Sequence, residues 1–189
     1  ANKFTVVRTF KAMDACSNSA TCSQSIVVFD NVAPTMSCPS PVTVTCATSV
    51  PTQSTLGISA ADNCGGAVTI AFVGDVTRDA ICANKYVVAR TYSATDLCGN
   101  ATTCAQVITV NDNVAPSITC PAPVTVTCAS SVPAANVNAA SATDNCNGAV
   151  SISHVGDVTS DFICVNKYKI TRTYRATDAC NNTSSCIQI

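Results

Sequence analysis

Fourteen cysteines, eleven aspartates and a single histidine are the residues of this 189-residue chain with chemistry to offer; glutamate is absent. Zinc ligation would need close cysteine pairs, yet there is no C-x-x-C, and the closest cysteines are separated by five or seven residues. Nucleophilic catalysis fares no better: residues 1–153 contain no histidine, and no G-x-S-x-G elbow occurs. The chain is therefore expected not to be an enzyme. Cysteine at this density suits disulfides in an oxidising, extracytoplasmic compartment. A formal charge of -1 leaves no electrostatic footprint for nucleic acid. No apolar run approaches the roughly 18 residues of a membrane span, so no membrane insertion is expected in this segment.

The cysteine positions are periodic. Subtracting 82 from Cys120, Cys128, Cys146, Cys164, Cys180 and Cys186 returns Cys38, Cys46, Cys64, Cys82, Cys98 and Cys104, and subtracting 82 from the last two of these returns Cys16 and Cys22. Aligning 26–107 with 108–189 needs no gap and gives 49 identities in 82 columns. All eight prolines and all eleven aspartates recur on the same period. Two full periods plus 25 residues make up the 189, so the chain reads as a window cut from a longer tandem array. The domains expected are 1–25, the last hairpin of a preceding repeat, and full repeats at 26–107 and 108–189.

The elements that must carry these cysteines are strands. Threonine, valine and isoleucine fill short runs at Pro41–Cys46, Thr55–Ala60, Ala67–Val73, Lys85–Ala94 and Thr102–Val110, separated by turn clusters such as Asp62–Gly66, Gly74-Asp75 and Asp96–Asn100. Punctuation at about ten residues predicts an all-β fold of tandem immunoglobulin-like antiparallel β-sandwich domains, rich in disulfides. The runs are expected to be strands A, B, C, F and G, with ill-defined D and E strands within Gly74–Cys82. A unit this small, with few large aromatics, gains most from covalent staples. His154, aligned with Phe72, is expected on a sheet surface.

Sandwich topology limits which cysteines can meet. Cys38, Cys64, Cys98 and Cys104 fall at the N-terminal pole of a unit, and Cys46 and Cys82 at the opposite pole. The expected bonds are Cys46–Cys82, Cys64–Cys98 and Cys38–Cys104, repeated as Cys128–Cys164, Cys146–Cys180 and Cys120–Cys186. Six cysteines allow 15 connectivities, and a Cys98–Cys104 hairpin bond is the main competitor. Under the first scheme Cys16 and Cys22 are unpaired; under the second they bond to each other.

The motifs Asp112-Asn113-Val114-Ala115-Pro116, Ile118-Thr119-Cys120-Pro121, Ala142-Thr143-Asp144-Asn145 and Tyr174-Arg175-Ala176-Thr177-Asp178 resemble the hyalin-repeat family. The first unit carries the same pattern at Pro34, Cys38-Pro39, Asp62-Asn63, Tyr92 to Asp96 and Gly99-Asn100. The resemblance covers the whole chain and implies an immunoglobulin-like sandwich used in extracellular adhesion. It also implies a Cys38–Cys104 bond, because the usual pattern has two cysteines there. The other four cysteines per unit depart from it and resemble Cys-rich variants in very large surface proteins of gliding Bacteroidota.

Acidic residues suggest a further chemistry. Asp112, Asn113, Asp144 and Asp178 are expected at the N-terminal pole of the second repeat, with Asp75 and Asp79 supplied by the repeat before it. Hard oxygen ligands at such a junction suit Ca2+. The linker Val110–Pro116 is also similar to the cadherin calcium-binding linker, although the glutamate motifs of cadherins are missing. The competing reading is that these residues make Asx turns. Asn100, Asn181 and Asn182 fit the N-glycosylation pattern, and Thr43-Val44-Thr45 places two hydroxyls on one strand face. The function expected is a structural repeat of an extracellular filament or adhesin stalk on a bacterial surface. Its partners would be neighbouring repeats and laterally bundled filaments; the rival is a glycan- or surface-binding module.

Overall fold

A computed structural model of the chain describes residues 2–189. The architecture is all-β. Thirteen strands follow in order: β1 (Lys3–Met13), β2 (Ser19–Phe29), β3 (Thr35–Met36), β4 (Val42–Val44), β5 (Ala60–Ala61), β6 (Thr69–Cys82), β7 (Lys85–Thr95), β8 (Ala101–Asn111), β9 (Ser117–Thr119), β10 (Ser141–Thr143), β11 (Ser151–Cys164), β12 (Lys167–Thr177) and β13 (Thr183–Gln188). The remaining regular pieces are three single 3-10 turns. Among the described residues no helix is long and apolar enough to cross a membrane.

The chain divides into two compact units that interleave along the sequence. Unit 1 holds Ala1–Pro41, Thr52–Val76 and Ala89–Val107; unit 2 holds Val42–Pro51, Thr77–Val88 and Ile108–Ile189. One unit boundary falls between Val107 and Ile108, and the others lie inside residues 26–107. In unit 1, β1 and β2 form an antiparallel hairpin, and β3 pairs with β5. In unit 2, β11, β12 and β13 form an antiparallel sheet, β9 pairs with β10, and β4 lies parallel to the end of β8. The four-stranded sheet has the order β4-β8-β7-β6.

Period-2 burial builds each core. Along β7 the inward positions are Val88, Arg90, Tyr92 and Ala94, and along β12 they are Arg172, Tyr174 and Ala176. Ile108 and Val110 at the end of β8 are fully enclosed. By sequence period these two residues open the second repeat, yet they pair as Val42↔Ile108 and Val44↔Val110 with strand A of the first.

Two expected features differ. Gly74-Asp75 and Gly156-Asp157 do not end a strand; β6 and β11 run through them to Cys82 and Cys164, and no separate D and E strands form. In β11 the register shifts between His154 and Gly156, and again between Ser160 and Cys164. Glycine there admits a bulge rather than a turn. The second irregularity contains Asp161 at φ +52°, matched by Asp79 at +56° in β6, a left-handed conformation that aspartate tolerates. Strand B shrinks from Thr55–Ala60 to Ala60–Ala61, because Gly57 at φ +80° and the Ile58 N–H to Thr55 carbonyl bond fold the run into a turn.

Candidate functional site

The cysteines converge on a junction inside unit 2. Cys46 is bonded to Cys146 and Cys82 to Cys180, with Cα–Cα distances of 5.2 and 5.3 Å. Both bonds join a residue of the first repeat to one of the second, across 100 and 98 positions of sequence. This corrects the pairings Cys46–Cys82 and Cys146–Cys180 within a repeat. Cys64, Cys98, Cys128 and Cys164 are thiols, which also corrects Cys64–Cys98 and Cys128–Cys164. Cys38–Cys104 and Cys120–Cys186 are bonded within their repeats, and Cys16 and Cys22 are unbonded and exposed.

The sequence signal for the junction bonds was present but degenerate. Placing Cys46 and Cys82 at one pole and Cys64 and Cys98 at the other is compatible with two bonds per pole inside a repeat. It is equally compatible with one repeat's C-terminal pair meeting the next repeat's N-terminal pair, and only tertiary proximity separates the two.

Polar groups assemble the same junction. The Asn84 side-chain carbonyl accepts from Ala47 N–H at 2.8 Å, and its backbone carbonyl accepts from Asp112 N–H at 2.9 Å. The Asn182 amide donates to the Asp112 carbonyl at 3.3 Å, and Val114 N–H donates to the Asp112 carboxylate at 3.2 Å. Asp112 is 1% exposed. Next to the Cys46–Cys146 bond, the Asn145 amide lies 3.4 and 3.1 Å from the two sulfurs, and Cys146 N–H donates to Asp144 at 3.0 Å.

Asp178 holds the F–G loop that carries Cys180. One carboxylate oxygen accepts from Cys180 N–H and Asn182 N–H, both at 2.8 Å, and the other accepts from the Asn182 amide at 2.8 Å. Asp96 and Asp14 repeat these contacts with Asn100 and Asn18. The Asn18 side-chain and backbone donors hold Asp14 below the usual carboxylate range. The motif Asp-x-Cys-x-Asn is thus a loop clamp, the Asx device expected of such residues.

The six residues considered for calcium are not brought together as a set. Asp75 is taken: Arg90, 4% exposed, grips both its oxygens at 2.9 Å. Asp178 is spent on its loop, Asp79 sits within β6, and Asn113 is exposed. Asp112 and Asp144 do come together, with one donor atom each of Asp112, Asp144 and Cys146 within 4.8 Å of one another. Asp30, Asp62 and Cys64 repeat the cluster in unit 1. In both clusters one oxygen, of Asp144 and of Asp62, is shut from solvent without a hydrogen-bond partner. The Cys146 sulfur is spent in a disulfide, which leaves an oxygen donor pair suited to a hard cation.

The glycosylation candidates separate in the same way. The Asn100 and Asn182 amides donate to Asp96 and Asp178 and to the Asp30 and Asp112 carbonyls, so a sugar there would dismantle the clamp. Asn181 is exposed at φ +67°.

The recurring strand-F arginines are internal braces. Arg172 grips Asp157 at 2.8 and 2.9 Å as Arg90 grips Asp75, and His154 adds a 2.8 Å contact to Asp157 while tilting against Tyr174. The Arg172 guanidinium, opposed by partial burial and helped by His154, holds Asp157 down at about 2 against an ordinary 3.8. A depressed folded value means the contribution is complete above pH ~3.8 and is lost as pH falls toward 2. Because Asp157 is about a third exposed, the expected contribution is only about 1 kcal/mol. Asp157→Asn should therefore lower the melting temperature by a few degrees at pH 6 and by almost nothing at pH 2. An equal loss at both pH values would remove the ion pair as the cause.

No family model matches the chain, and no curated protein matches it. Solved structures similar to it include the protocadherin gamma B4 extracellular domain, with TM-score 0.35 and 15% identity over 97% of this chain and 37% of that one. Extracellular cadherin domains 1–5 of protocadherin gamma B2 give TM-score 0.34 and 18% identity over 100% and 46%. The EC1–4 structure of PcdhgB3 gives 0.32 and 15% over 98% and 56%. The chain thus spans between about a third and just over half the length of these chains.

Proposed function

We propose that this chain is a structural repeat segment of an extracellular cell-surface filament or adhesin stalk, built of hyalin-repeat-like modules on a bacterial surface. The observation that carries this reading is the pair of bonds Cys46–Cys146 and Cys82–Cys180, which lock one sequence repeat to the next. Bonds of this kind persist in an oxidising compartment and serve a part whose task is to stay connected under load.

The load path is short. Between Cys38 and Cys186 it runs through the Cys38–Cys104 bond, sixteen residues of chain (104 to 120), and the Cys120–Cys186 bond. Fully extended, those sixteen residues reach about 55 Å, against about 500 Å for the 148 residues between the same points after reduction. Single-molecule pulling from residues 38 and 186 should yield no more than the first length when oxidised and approach the second in reductant. Extension of several hundred ångström in the oxidised chain would defeat the stalk reading. Saturable glycan-array binding by the oxidised chain at low shear would instead favour a binding module.

A second reading, a calcium-stiffened junction, draws on the partnerless buried oxygens of Asp144 and Asp62. Here Asp112 with Asp144, and Asp30 with Asp62, would hold the ion, and its charge would relieve the repulsion between each carboxylate pair. Ca2+ at fifty times its Kd should then stabilise the chain by about 2 kcal/mol per site. The gain should vanish with Asp144→Asn and Asp62→Asn together, and a melting curve unmoved by Ca2+ or chelator ends the idea.

A further inference from the structure

The second repeat ends in an open groove whose counterpart in the first repeat is filled. The groove measures about 240 Å3 and is lined by, among others, Val124, Val126, Cys128, Tyr168, Ile170 and Ile189. Subtracting the period of 82 gives Val42, Val44, Cys46, Tyr86, Val88 and Val107. There Val42–Val44 is strand β4, paired in parallel with Ile108–Val110. In the second repeat Val124–Val126 forms no strand, and Val124 and Val126 are 49% and 37% exposed. The other equivalents change in the same sense: Cys46 is 9% exposed, Asn84 8% and Val88 5%, whereas Cys128 and Asn166 are exposed and Ile170 is half-buried. The residues that make the difference in the first repeat are Ile108, Val110 and Asp112, all at 1% exposure or less.

We propose that the groove at Val124–Cys128, with the thiols Cys128 and Cys164 beside it, is the docking site for the leading segment of a further repeat of this same kind. That segment would be a stretch equivalent to Ile108–Asp112, entering parallel to Val124–Val126. Its B–C and F–G loop cysteines, the counterparts of Cys146 and Cys180, then bond to Cys128 and Cys164. Each bond is formed by two-electron oxidation of two thiols with loss of two protons, the electrons passing to the thiol–disulfide oxidants of an oxidising compartment.

The occupant is specified by the junction already made inside unit 2. Cys46 and Cys82, the counterparts of Cys128 and Cys164, are bonded to that partner pair, and Asn84, the counterpart of Asn166, receives the Asp112 N–H. Asn166 already makes the other half of the arrangement, accepting from Ala129 N–H at 2.9 Å as Asn84 accepts from Ala47. The complementary half is presented in unit 1, where Cys64 and Cys98 line a 210 Å3 cleft with Asp30, Asp62 and Asp96. The same rule assigns those two thiols to the Cys46 and Cys82 counterparts of another repeat. Edge pairing supplies backbone hydrogen bonds, the apolar groove supplies burial, and the disulfides make the union permanent.

This inference deepens the stalk reading and rests on it, but its test reads covalent connectivity rather than mechanics or ligand binding. Residues 108–189 are appended in register after Ile189 of the full chain, the protein is oxidised, and its disulfides are mapped without reduction. The expected map joins Cys128 to the appended copy of Cys146 and Cys164 to the appended copy of Cys180. Both should lose reactivity toward iodoacetamide, which the 189-residue chain should show at Cys64, Cys98, Cys128 and Cys164 alike. A Cys128–Cys164 or Cys64–Cys98 bond in either protein overturns the proposal. So does an extended chain in which Cys128 and Cys164 stay alkylatable. The 189-residue measurement alone is decisive against it should the extension fail to fold.

Discussion

Replacing Cys46 and Cys146 together by serine lowers the melting temperature of the oxidised chain by about 8–16 °C. With the other bonds intact, the shortest loop closed by Cys46–Cys146 runs from 46 to 38, across Cys38–Cys104, and from 104 to 146, or 8 plus 42 positions. Closing roughly 50 residues is worth about 4 kcal/mol in the chain-entropy account, and each kcal/mol moves the midpoint by about 2–4 °C at this chain length. Replacing Cys128 and Cys164 in the same way should shift it by less than ~2 °C, since both are exposed and unbonded. The two double variants have the same chemistry at repeat-equivalent or neighbouring positions, so scanning calorimetry of the pair isolates the bond. A shift of several degrees on replacing Cys128 and Cys164 would mean instead that those two are bonded within their repeat.

Tyr174→Ala destabilises by about 3–5 kcal/mol, the range for an aromatic removed from a core. Tyr174 is 0% exposed on the central strand β12, paired with His154 of β11 and Cys186 of β13. Its hydroxyl accepts from Asn136 N–H and donates to the Gln188 side chain, both at 3.3 Å. Gln188 in turn donates to the Ala122 carbonyl at 2.7 Å, tying the chain ahead of strand A to strand G. Tyr174→Phe keeps the ring and loses only those long bonds, so about 1 kcal/mol is expected. Urea unfolding that shows the two variants equally destabilised would mean the hydroxyl network, not ring burial, holds this sheet together.

Much of this was legible in the residues. Alternating Val-Thr runs bounded by Gly, Asn and Asp specify strands because β-branched side chains suit a pleated surface and turn residues do not. Period 2 alone puts Val88, Arg90, Tyr92 and Ala94 on one face of a strand, but that this face, arginine included, is the buried one is decided by packing. The Asp-x-Cys-x-Asn clamp was visible as a recurring loop, since a carboxylate two residues before an N–H has few other partners. Less legible were the glycine positions: Gly74 and Gly156 permit either a turn or a bulge, and strand pairing chooses.

What the chain by itself determined is its period, its all-β class and the equivalence of every cysteine to others 82 residues away, because these depend only on residue types and spacing. What only tertiary structure decided is which equivalent partner each cysteine takes. A disulfide requires Cα atoms within about 7 Å, and periodicity is blind to whether that neighbour belongs to the same repeat or the next. The end of β8 settles it: Ile108–Val110 leave the second repeat's sequence to finish the first repeat's sheet. That crossing carries Cys146 and Cys180 to Cys46 and Cys82, and makes the junction rather than the repeat the covalently closed unit.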